Sequence, residues 1–355
     1  MKELTTVLRA HAAAYPDLQP QDAVKLIYQN EFGPGHLIAD PVSSLTRLQA
    51  EYASVSHDPA APLLEDIGNG LVRVMLAALR PEEYPLEALN DAFVRSAGVH
   101  TGNRDSFLTK LDVLKDLTGQ GLFSFSTDEL DTYLRDYLAA GCPVVSHSPA
   151  YREAYRPAYR VVRRDSLPPL PVVLHAIRRH AAPGGRPLLV AIDGRCASGK
   201  TTLAAELKGS CECEVVPMDD FFLRPEQRTE ARYQTPGENV DHERFLTEVL
   251  QPLSRGEPAV YQPFDCSIQQ LTAPVRVPQA PVVIVEGSYS CHPALRPYYD
   301  LQIFLTVEPG EQMRRIITRN GAEYAEVFRS RWIPLEEAYF SAFPLAEQCD
   351  FCFET

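Results

Sequence analysis

Apolar residues in the second half of the chain come in short runs, and a polar or glycine-containing segment follows each run. The runs cover residues 188–192, 213–218, 281–285 and 301–305. Runs of about five apolar residues are typical of strands buried in a parallel sheet. Helix-forming stretches separate these runs, so the pattern predicts an α/β fold in which helices flank a parallel sheet on both faces.

The first half has a different pattern, in which apolar residues recur at helical spacing between short polar loops. We predict helices over residues 5–15, 20–32, 41–55, 86–97, 105–117 and 127–140. Ser126 and Glu129 form a capping-box pattern ahead of the last helix. Residues 70–76 (GLVRVML) fit a strand as well as a helix. Residues 1–165 are therefore predicted to form a mostly α-helical N-terminal domain.

A proline-rich segment, DSLPPLP at residues 165–171, separates the two patterns, and a short helix is predicted over residues 172–180. A chain of 355 residues is long enough for two domains with their own cores. We therefore place the domains at residues 1–165 and 166–355.

The net charge and the lengths of the apolar runs exclude some classes of function. The net charge of −13 is divided evenly, since residues 1–165 have 16 Lys and Arg against 22 Asp and Glu, and residues 166–355 have 18 against 25. Neither half has the basic excess of a general nucleic-acid binder. No run approaches the roughly 18 apolar residues of a membrane helix, and residues 1–15 lack the apolar core of a signal peptide. We expect a soluble, cytoplasmic protein without nucleic-acid or membrane partners, and the sequence does not indicate its oligomeric state.

The first apolar run leads into a phosphate-loop pattern, Gly194-x4-Gly199-Lys200-Thr201. Glycines let backbone N–H groups surround phosphate oxygens, the lysine adds a mobile positive charge, and the threonine hydroxyl can bind Mg²⁺. The strand before the loop and the helix after it supply the context that this pattern requires. The residues predicted to bind a nucleotide are Gly194, Ala197, Ser198, Gly199, Lys200, Thr201 and Thr202.

Acidic residues follow two of the other apolar runs. Asp219 and Asp220 come after residues 213–218, and Glu286 comes after residues 281–285. Ligands of parallel sheets bind at the carboxyl ends of the strands, so we expect these acids to lie beside the phosphate loop.

Between about residues 186 and 345 the order of motifs resembles the uridine kinase–phosphoribulokinase group of P-loop kinases, which includes bacterial pantothenate kinases. In chain order the motifs are GRCASGKTT, VVPMDDFF, NVDHERF, VVIVEG and YYDLQIFLTVEPGEQMRRIITRN. The resemblance implies a P-loop NTPase fold. It also implies that ATP and Mg²⁺ are used to phosphorylate a hydroxyl group of a small metabolite, with a nucleoside as the expected acceptor. Residues 1–165 show no such resemblance.

The same resemblance implies roles for single residues. Asp219 would orient the acceptor hydroxyl, although the family usually has a small residue at the position of Asp220, which leaves both neighbours as candidates. Lys200 would bind the β- and γ-phosphates, and Thr201 and Glu286 would hold Mg²⁺. The basic lid that closes on the transferring phosphoryl group would consist of Arg314, Arg315 and Arg319.

For the acceptor pocket, the resemblance points to Asp241 and His242 and to the aromatic residues Tyr261 and Phe264. The corresponding family segment continues with a histidine and an arginine, whereas residues 261–270 contain no basic residue. This departure argues against a pyrimidine-specific pocket and against a phosphorylated acceptor.

Three features leave alternatives open. Polar clusters at residues 28–36, 65–73 and 100–104 fit ordinary turns, but also a second ligand site near His36. Tyr-Arg pairs at residues 151–152, 155–156 and 159–160 fit a helix face that ends at Pro157, and such pairs either pack on the domain or bind RNA or a phosphorylated ligand. The cysteine pairs 211/213 and 349/352 could supply thiolates to zinc, but both fall in predicted strands, where cysteine packs as a small hydrophobe. Because residues 1–165 have no evident role in a simple metabolite kinase, a nucleotide-dependent switch and a bifunctional protein with a second site near His36 are the alternatives.

Overall fold

The chain consists of two compact units, Met1–Pro168 and Pro169–Thr355. The computed structural model describes residues 2–34, 40–58, 60–180 and 185–355. None of the helices in these ranges combines the length and the apolar character needed to cross a bilayer.

The first unit is a set of helices around a small sheet. Its helices are α1 (Lys2–Ala14), α2 (Pro20–Phe32), α3 (Pro41–Ser54), α4 (Leu86–Val99), α5 (Arg104–Gly119), α6 (Thr127–Ala139) and α7 (Pro149–Tyr155). Its strands are β1 (Leu64–Gly68), β2 (Leu71–Met75) and β3 (Tyr159–Arg163). The six predicted helices are confirmed with ends within about three residues. The capping box is confirmed as well, because Ser126 Oγ accepts a hydrogen bond from the backbone N–H of Glu129.

The sheet of this unit is antiparallel, with β2 between β1 and β3. Residues 70–76 thus form a strand, one of the two possibilities that the sequence left open. Leu71, Val72 and Val74 are fully buried and belong to the interior of the unit. The sequence did not indicate β1 or β3 as strands.

In the described part of the chain, the second unit contains more helices and strands than the first. Its helices are α8 (Pro169–Arg179), α9 (Lys200–Ser210), α10 (Glu230–Gln234), α11 (His242–Phe245), α12 (Gln251–Ser254), α13 (Pro309–Asn320), α14 (Ala322–Val327), α15 (Ile333–Ala342) and α16 (Leu345–Gln348). Its strands are β4 (Leu188–Gly194), β5 (Cys213–Pro217), β6 (Val260–Tyr261), β7 (Phe264–Asp265), β8 (Gln270–Leu271), β9 (Val275–Arg276), β10 (Val282–Glu286), β11 (Leu301–Thr306) and β12 (Phe351–Glu354). Segments 246–250 and 328–332 are π-helical.

Five strands form a parallel sheet in the order β12-β11-β4-β10-β5. The two central apolar runs became β4 and β10, in which every residue is buried. Leu189 and Ala191 belong to a core cluster with Phe245 and Tyr339 on one face of the sheet. Because side chains alternate along a strand, the residues between them face the opposite side. The predicted α/β fold with a parallel sheet flanked by helices is confirmed.

The strand register brings the chemical groups of this unit to one edge. Glu286, the last residue of β10, lies beside Ile192 of β4 and beside Pro217 of β5. Gly194 at the end of β4 lies beside Leu305 of β11. The phosphate loop and the segments that follow β5 and β10 therefore begin at the same carboxyl edge of the sheet.

The strand order also excludes a zinc site shared by the two cysteine pairs. Cys213 lies in β5 and Cys352 in β12, which are the two opposite edge strands. The two cysteine pairs therefore cannot supply four thiolates to a single ion. The first member of each pair, Cys211 and Cys349, precedes its strand rather than lying in it as the sequence predicted.

Candidate active site at the carboxyl edge of the sheet

The phosphate loop starts with a glycine because β4 and β11 approach closely at that point. A Cβ atom on Gly194 would lie 1.9 Å from the carbonyl oxygen of Leu305. At the other end of the loop, Gly199 has φ of +89° and directly precedes α9. Gly194 is therefore required for the close approach of two strands and Gly199 for a left-handed backbone conformation. The loop lies at the N-terminus of a helix, where anions are favoured.

Side chains from distant segments fix the loop from outside. The guanidinium of Arg195 donates to both carboxylate oxygens of Glu337, at 2.6 and 2.9 Å, and to Thr306 Oγ1 at 2.6 Å. The backbone N–H of Cys196 donates to Glu336 Oε2 at 2.9 Å. Sequence reasoning missed Glu336 and Glu337, since nothing in the sequence shows that α15 lies beside the loop.

A buried carboxylate ties the end of β4 to the segment after β10. Asp193 accepts hydrogen bonds from the backbone N–H groups of Gly194 at 2.6 Å, Tyr289 at 3.1 Å and Cys291 at 2.8 Å. The hydroxyl of Tyr339 donates to it at 3.1 Å. Burial raises the pKa of Asp193 to about 6. The residue was also missed from sequence, although an acid between an apolar run and a phosphate loop is a usable signal.

The residues predicted to hold Mg²⁺ lie together. Thr201 Oγ1 donates to Glu286 Oε2 at 3.1 Å. Burial, and to a smaller extent the negative charge of the nearby Asp219, raises the pKa of Glu286. A hydroxyl and a carboxylate at this distance are oxygen donors of the kind that Mg²⁺ takes in phosphate sites, so these residues fit the ion.

The loop also has the groups needed for phosphate. The ammonium of Lys200 donates to the carbonyl oxygens of Gly194 at 2.7 Å and Arg195 at 2.8 Å. Within the part of the chain that the structure describes, Ser198 Oγ is buried and has no hydrogen-bond partner. A polyanion seated in the loop would supply acceptors to both side chains.

The structure separates the two neighbouring aspartates. Asp219 lines the same cavity as Lys200, Thr201 and Glu286. Water in the cavity can reach it, but protein encloses it on most sides, and this enclosure raises the pKa of Asp219. Asp220 instead accepts a hydrogen bond from Tyr261 OH at 2.8 Å. Asp219 is therefore the neighbour whose carboxylate faces the cavity.

This cavity, called the acceptor cavity below, has a volume of about 580 Å³. Several of the residues that line it are aromatic. The aromatic lining consists of Phe222, Tyr233, Tyr289, Tyr324, Phe328 and Trp332. A volume of this order is typical of small-molecule sites, and flat apolar walls suit a ring-containing or similarly sized acceptor.

A second cavity of about 430 Å³ adjoins the other side of the phosphate loop. It is lined by Ala197, Ser198, Gly199, Thr202, Arg315 and Arg319, among others. Arg315 donates to the carbonyl oxygen of Ala197 at 3.2 Å. Arg314 lies outside this lining, and its exposed side chain pairs with Glu311 at 2.6 Å. Two of the three predicted lid arginines therefore lie beside the loop.

The four predicted acceptor-binding residues lie outside the lining of the acceptor cavity. Asp241 is buried, caps α11 through the backbone N–H of Arg244 and lies 3.4 Å from the Arg244 guanidinium. Tyr261 contacts Asp220, as described above. Phe264 is buried, and the guanidinium carbon of Arg228 lies over its ring, 5.6 Å from the ring centre. The two aromatic side chains thus support residues that stand nearer to the cavity.

His242 belongs to a cluster with Glu238 and His292. Its Nε2 lies 3.1 Å from both carboxylate oxygens of Glu238, and Nε2 of His292 lies 3.7 Å from one of them. The two rings stack with centres 4.0 Å apart and planes inclined by 16°. Planes so nearly parallel meet far from the nitrogens, so one metal ion cannot lie on both ring lone pairs. The backbone N–H of Ala294 also occupies Nδ1 of His292, at 3.2 Å. The cluster is therefore held by hydrogen bonds and stacking.

In the first unit, the structure brings the three polar clusters together at the C-terminal half of α2. Asn30 donates to the carbonyl oxygen of Ile67 at 2.6 Å, and Asn69 donates to that of Asn30 at 2.7 Å. The backbone N–H of Asn103 donates to Glu31 Oε1 at 2.7 Å. His36 lies outside the described residues. The second ligand site remains a prediction, and the observed bonds connect the clusters to one another.

A buried ion pair lies in the same region. Arg73, almost fully buried, donates to Glu65 Oε2 at 2.8 Å, and Tyr15 OH donates to Glu65 Oε1 at 2.5 Å. Burial alone would raise the pKa of Glu65, but the contact with His11 Nε2 at 3.4 Å and the charge of Arg73 outweigh burial and hold this pKa well below its usual range. The pair therefore favours the ionised carboxylate.

The Tyr-Arg pairs are divided between two elements. Tyr151 and Tyr155 lie in α7, which ends before Pro157 as predicted, whereas Tyr159 lies in β3. Tyr151 is buried and stacks on His147, with ring centres 4.3 Å apart. The hydroxyl of Tyr159 lies 2.6 Å from Nε2 of His147. These tyrosines pack inside the unit.

Comparison with solved structures gives similarities over about half of the chain. A protein from Bacillus stearothermophilus with a provisional assignment as a uridine kinase is 19% identical, covering 48% of this chain and 90% of its own, with a TM-score of 0.37. A protein from Silicibacter sp. TM1040 with a provisional assignment as a fructose transport system kinase is 24% identical, covering 50% and 94%, with a TM-score of 0.38. TT1252 from Thermus thermophilus is 18% identical, covering 48% and 89%, with a TM-score of 0.32. Comparison with descriptions of protein families finds no match.

Proposed function

We propose that the second unit transfers the γ-phosphoryl group of ATP to a hydroxyl group of a small metabolite, with a molecule of about nucleoside size as the acceptor. The observation that carries this proposal is the joint placement of Lys200, Thr201, Asp219 and Glu286 around one cavity. A phosphate-binding loop, a metal-binding pair and a carboxylate for the acceptor are the parts that phosphoryl transfer requires.

Each part has a defined task. Lys200 and the loop N–H groups hold the β- and γ-phosphates, and Lys200 exchanges its two carbonyl partners for phosphate oxygens. Thr201 and Glu286 hold Mg²⁺, which neutralises charge on the phosphates. Asp219 orients the acceptor hydroxyl and accepts its proton. Arg315 balances the charge that develops during transfer.

The test is a coupled ADP-release assay with Mg-ATP and a panel of acceptors that includes nucleosides, pantothenate, glycerate and simple sugars. Lys200→Ala is the blank. Asp219→Asn is expected to lower turnover about 10²- to 10⁴-fold, which is the usual effect of a positioned general base. Asp220→Asn is the matched control, because its amide oxygen can still accept from Tyr261 and it should keep most of the activity.

Full turnover in Asp219→Asn with a confirmed acceptor would contradict the proposal. ATP hydrolysis that no small acceptor stimulates would favour the nucleotide-dependent switch instead. The first outcome would mean that Asp219 is not the catalytic base, and the second that the protein is not a metabolite kinase.

A further inference from the structure

We propose that the acceptor carries an anionic group, a carboxylate or a phosphoryl group, which Arg228 and Arg331 bind inside the acceptor cavity. The inference rests on the proposed function for the reacting hydroxyl end of the acceptor. It reverses the expectation from residues 261–270, because the positive charge comes from two other segments of the chain.

Both arginines line the cavity that also contains Asp219. Arg228 follows a short 3-10 turn at Pro225–Gln227, and Arg331 lies in the π-helical segment Phe328–Trp332. A π-helical turn holds an extra residue, which rotates the side chains that follow it, and such turns often occur at functional sites. Here the segment contributes Phe328, Arg331 and Trp332 to one wall.

Aromatic rings hold the two guanidinium groups. The guanidinium carbon of Arg331 lies 4.8 Å from the ring centre of Trp332 and 5.3 Å from that of Tyr233. Arg228 lies over Phe264, and its Nε donates to the carbonyl oxygen of Leu223 at 2.9 Å. Stacking and the Nε contact orient a planar cation while leaving its terminal N–H groups available for an oxyanion.

Among the described residues, the two arginines have no carboxylate in direct contact. Over the described ranges, no carboxylate lies within 4.0 Å of either guanidinium, whereas Arg186 and Arg195 in the same unit pair with Asp300 and Glu337. Arg228 is half-buried and Arg331 is exposed, and both line the cavity, so an anionic group of a ligand can reach them and supply the counter-charge.

The acidic residues of the cavity have other partners. Glu286 bonds to Thr201, and Asp219 faces the site of transfer. Glu336 accepts from the N–H of Cys196 and, at 2.6 Å, from Ser288 Oγ. None of them neutralises Arg228 or Arg331. A hydroxyl-bearing acceptor with an anionic group would satisfy both requirements, its hydroxyl at Asp219 and its anion at the arginines.

The experiment compares neutral acceptors with close analogues that carry an anionic group. Glycerol, glycerate and glycerol phosphate form one set, and uridine with its carboxylated analogue orotidine forms another. We expect kcat/KM for the preferred anionic member to exceed that of its neutral counterpart about 10- to 100-fold, the range for charge-assisted hydrogen bonds. Whether carboxylate or phosphoryl gives the larger ratio identifies the anion.

Variants assign the preference to the two arginines. Arg228→Gln and Arg331→Gln should each lower kcat/KM for the anionic acceptor about tenfold more than kcat/KM for its neutral counterpart, which removes most of the preference. Arg329→Gln is the matched control, since Arg329 lies in the same π-helical segment and is exposed like Arg331, but it lies outside the cavity lining and pairs with Glu326. Equal losses with neutral and anionic acceptors would overturn the inference, because the arginines would then act on the phosphoryl group of ATP.

A binding measurement keeps the inference testable if turnover is absent. Trp332 is the only tryptophan of the chain, so its fluorescence reports on the cavity. In the presence of Mg-ADP, glycerate or glycerol phosphate should change the emission at concentrations about tenfold or more below those of glycerol, and Arg331→Gln should abolish this difference. Anion-dependent emission without turnover would contradict the kinase proposal but support the anion site. Turnover without any anion preference would contradict the anion site alone.

Discussion

The carboxylate of Glu336 accepts a hydrogen bond from the backbone N–H of Cys196 at 2.9 Å, so that a side chain of α15 fixes an amide of the phosphate loop. Its second oxygen accepts from Ser288 Oγ at 2.6 Å and thereby joins the loop to the segment after β10. The shape of the loop thus depends on a residue 140 positions away in the chain.

Removing this contact should loosen the nucleotide site. Glu336→Ala is expected to raise the KM for ATP about tenfold and to lower the free energy of unfolding by about 1–3 kcal/mol, because the partly buried N–H of Cys196 loses a charged acceptor. Enzyme kinetics and urea titration measure the two effects. Glu337→Ala is the control, since its carboxylate is 41% exposed and its ion pair with Arg195 should contribute less than about 1 kcal/mol. A larger effect for Glu337 would contradict this ranking.

The close approach at Gly194 makes a second prediction. Gly194→Ala would place a methyl group 1.9 Å from the carbonyl oxygen of Leu305, and we expect it to unfold the unit or lower its stability by more than about 4 kcal/mol. Gly209→Ala in α9 meets no atom within 4 Å and should be neutral or stabilising by up to about 1 kcal/mol. Thermal unfolding of the two variants measures the contrast, and similar melting temperatures would refute the packing argument.

The Thr201–Glu286 pair predicts the metal dependence of turnover. Thr201→Ala and Glu286→Gln should each raise the Mg²⁺ concentration that gives half-maximal activity, because each removes or weakens an oxygen ligand. Thr201→Ser keeps the hydroxyl and should behave like the unaltered protein. A Mg²⁺ titration at saturating ATP measures this, and an unchanged midpoint in both variants would place the metal elsewhere.

The first unit should lose stability in acid in two steps. Burial lowers the pKa of His147 to about 4, whereas an unfolded histidine titrates near 6.5. The unfolded state therefore binds the proton first, and stability present above pH 6.5 falls as the pH drops towards 4, by up to about 3 kcal/mol. Glu65, whose folded pKa is lowered, adds a second loss once the pH falls below about 4.5.

Urea unfolding followed by circular dichroism at pH 7.5, 6 and 5 measures the first step. His147→Gln should remove most of the slope between pH 6.5 and 5 while keeping a donor for Asp22, which lies 3.0 Å from Nδ1 of His147. An unchanged slope in that variant would assign the acid sensitivity to other groups.

The sequence predicted the sheet, the loop and the acids at its edge because these depend on local patterns. The buried run at residues 188–192 and the motif after it determine where Lys200 and Thr201 lie, and parallel topology brings Glu286 to them. Strand β3 was missed because its Tyr-Arg alternation also fits helical spacing, and β2 supplies its partner from far away in the chain. Arg228 and Arg331 were missed because only the folded chain shows which arginines lack a carboxylate.

The order of strands in the first unit has a consequence for protein synthesis. Strand β2 lies between its neighbours, but β3 begins 84 residues after β2 ends (159 against 75). Until residue 163 has emerged from the ribosome, the edge of β2 that β3 will cover is unpaired, and an unpaired strand edge is a template for aggregation. A fragment that stops before β3 should therefore aggregate, whereas one that continues to residue 168 can close the sheet. Chaperone binding during translation should accordingly persist until this strand emerges.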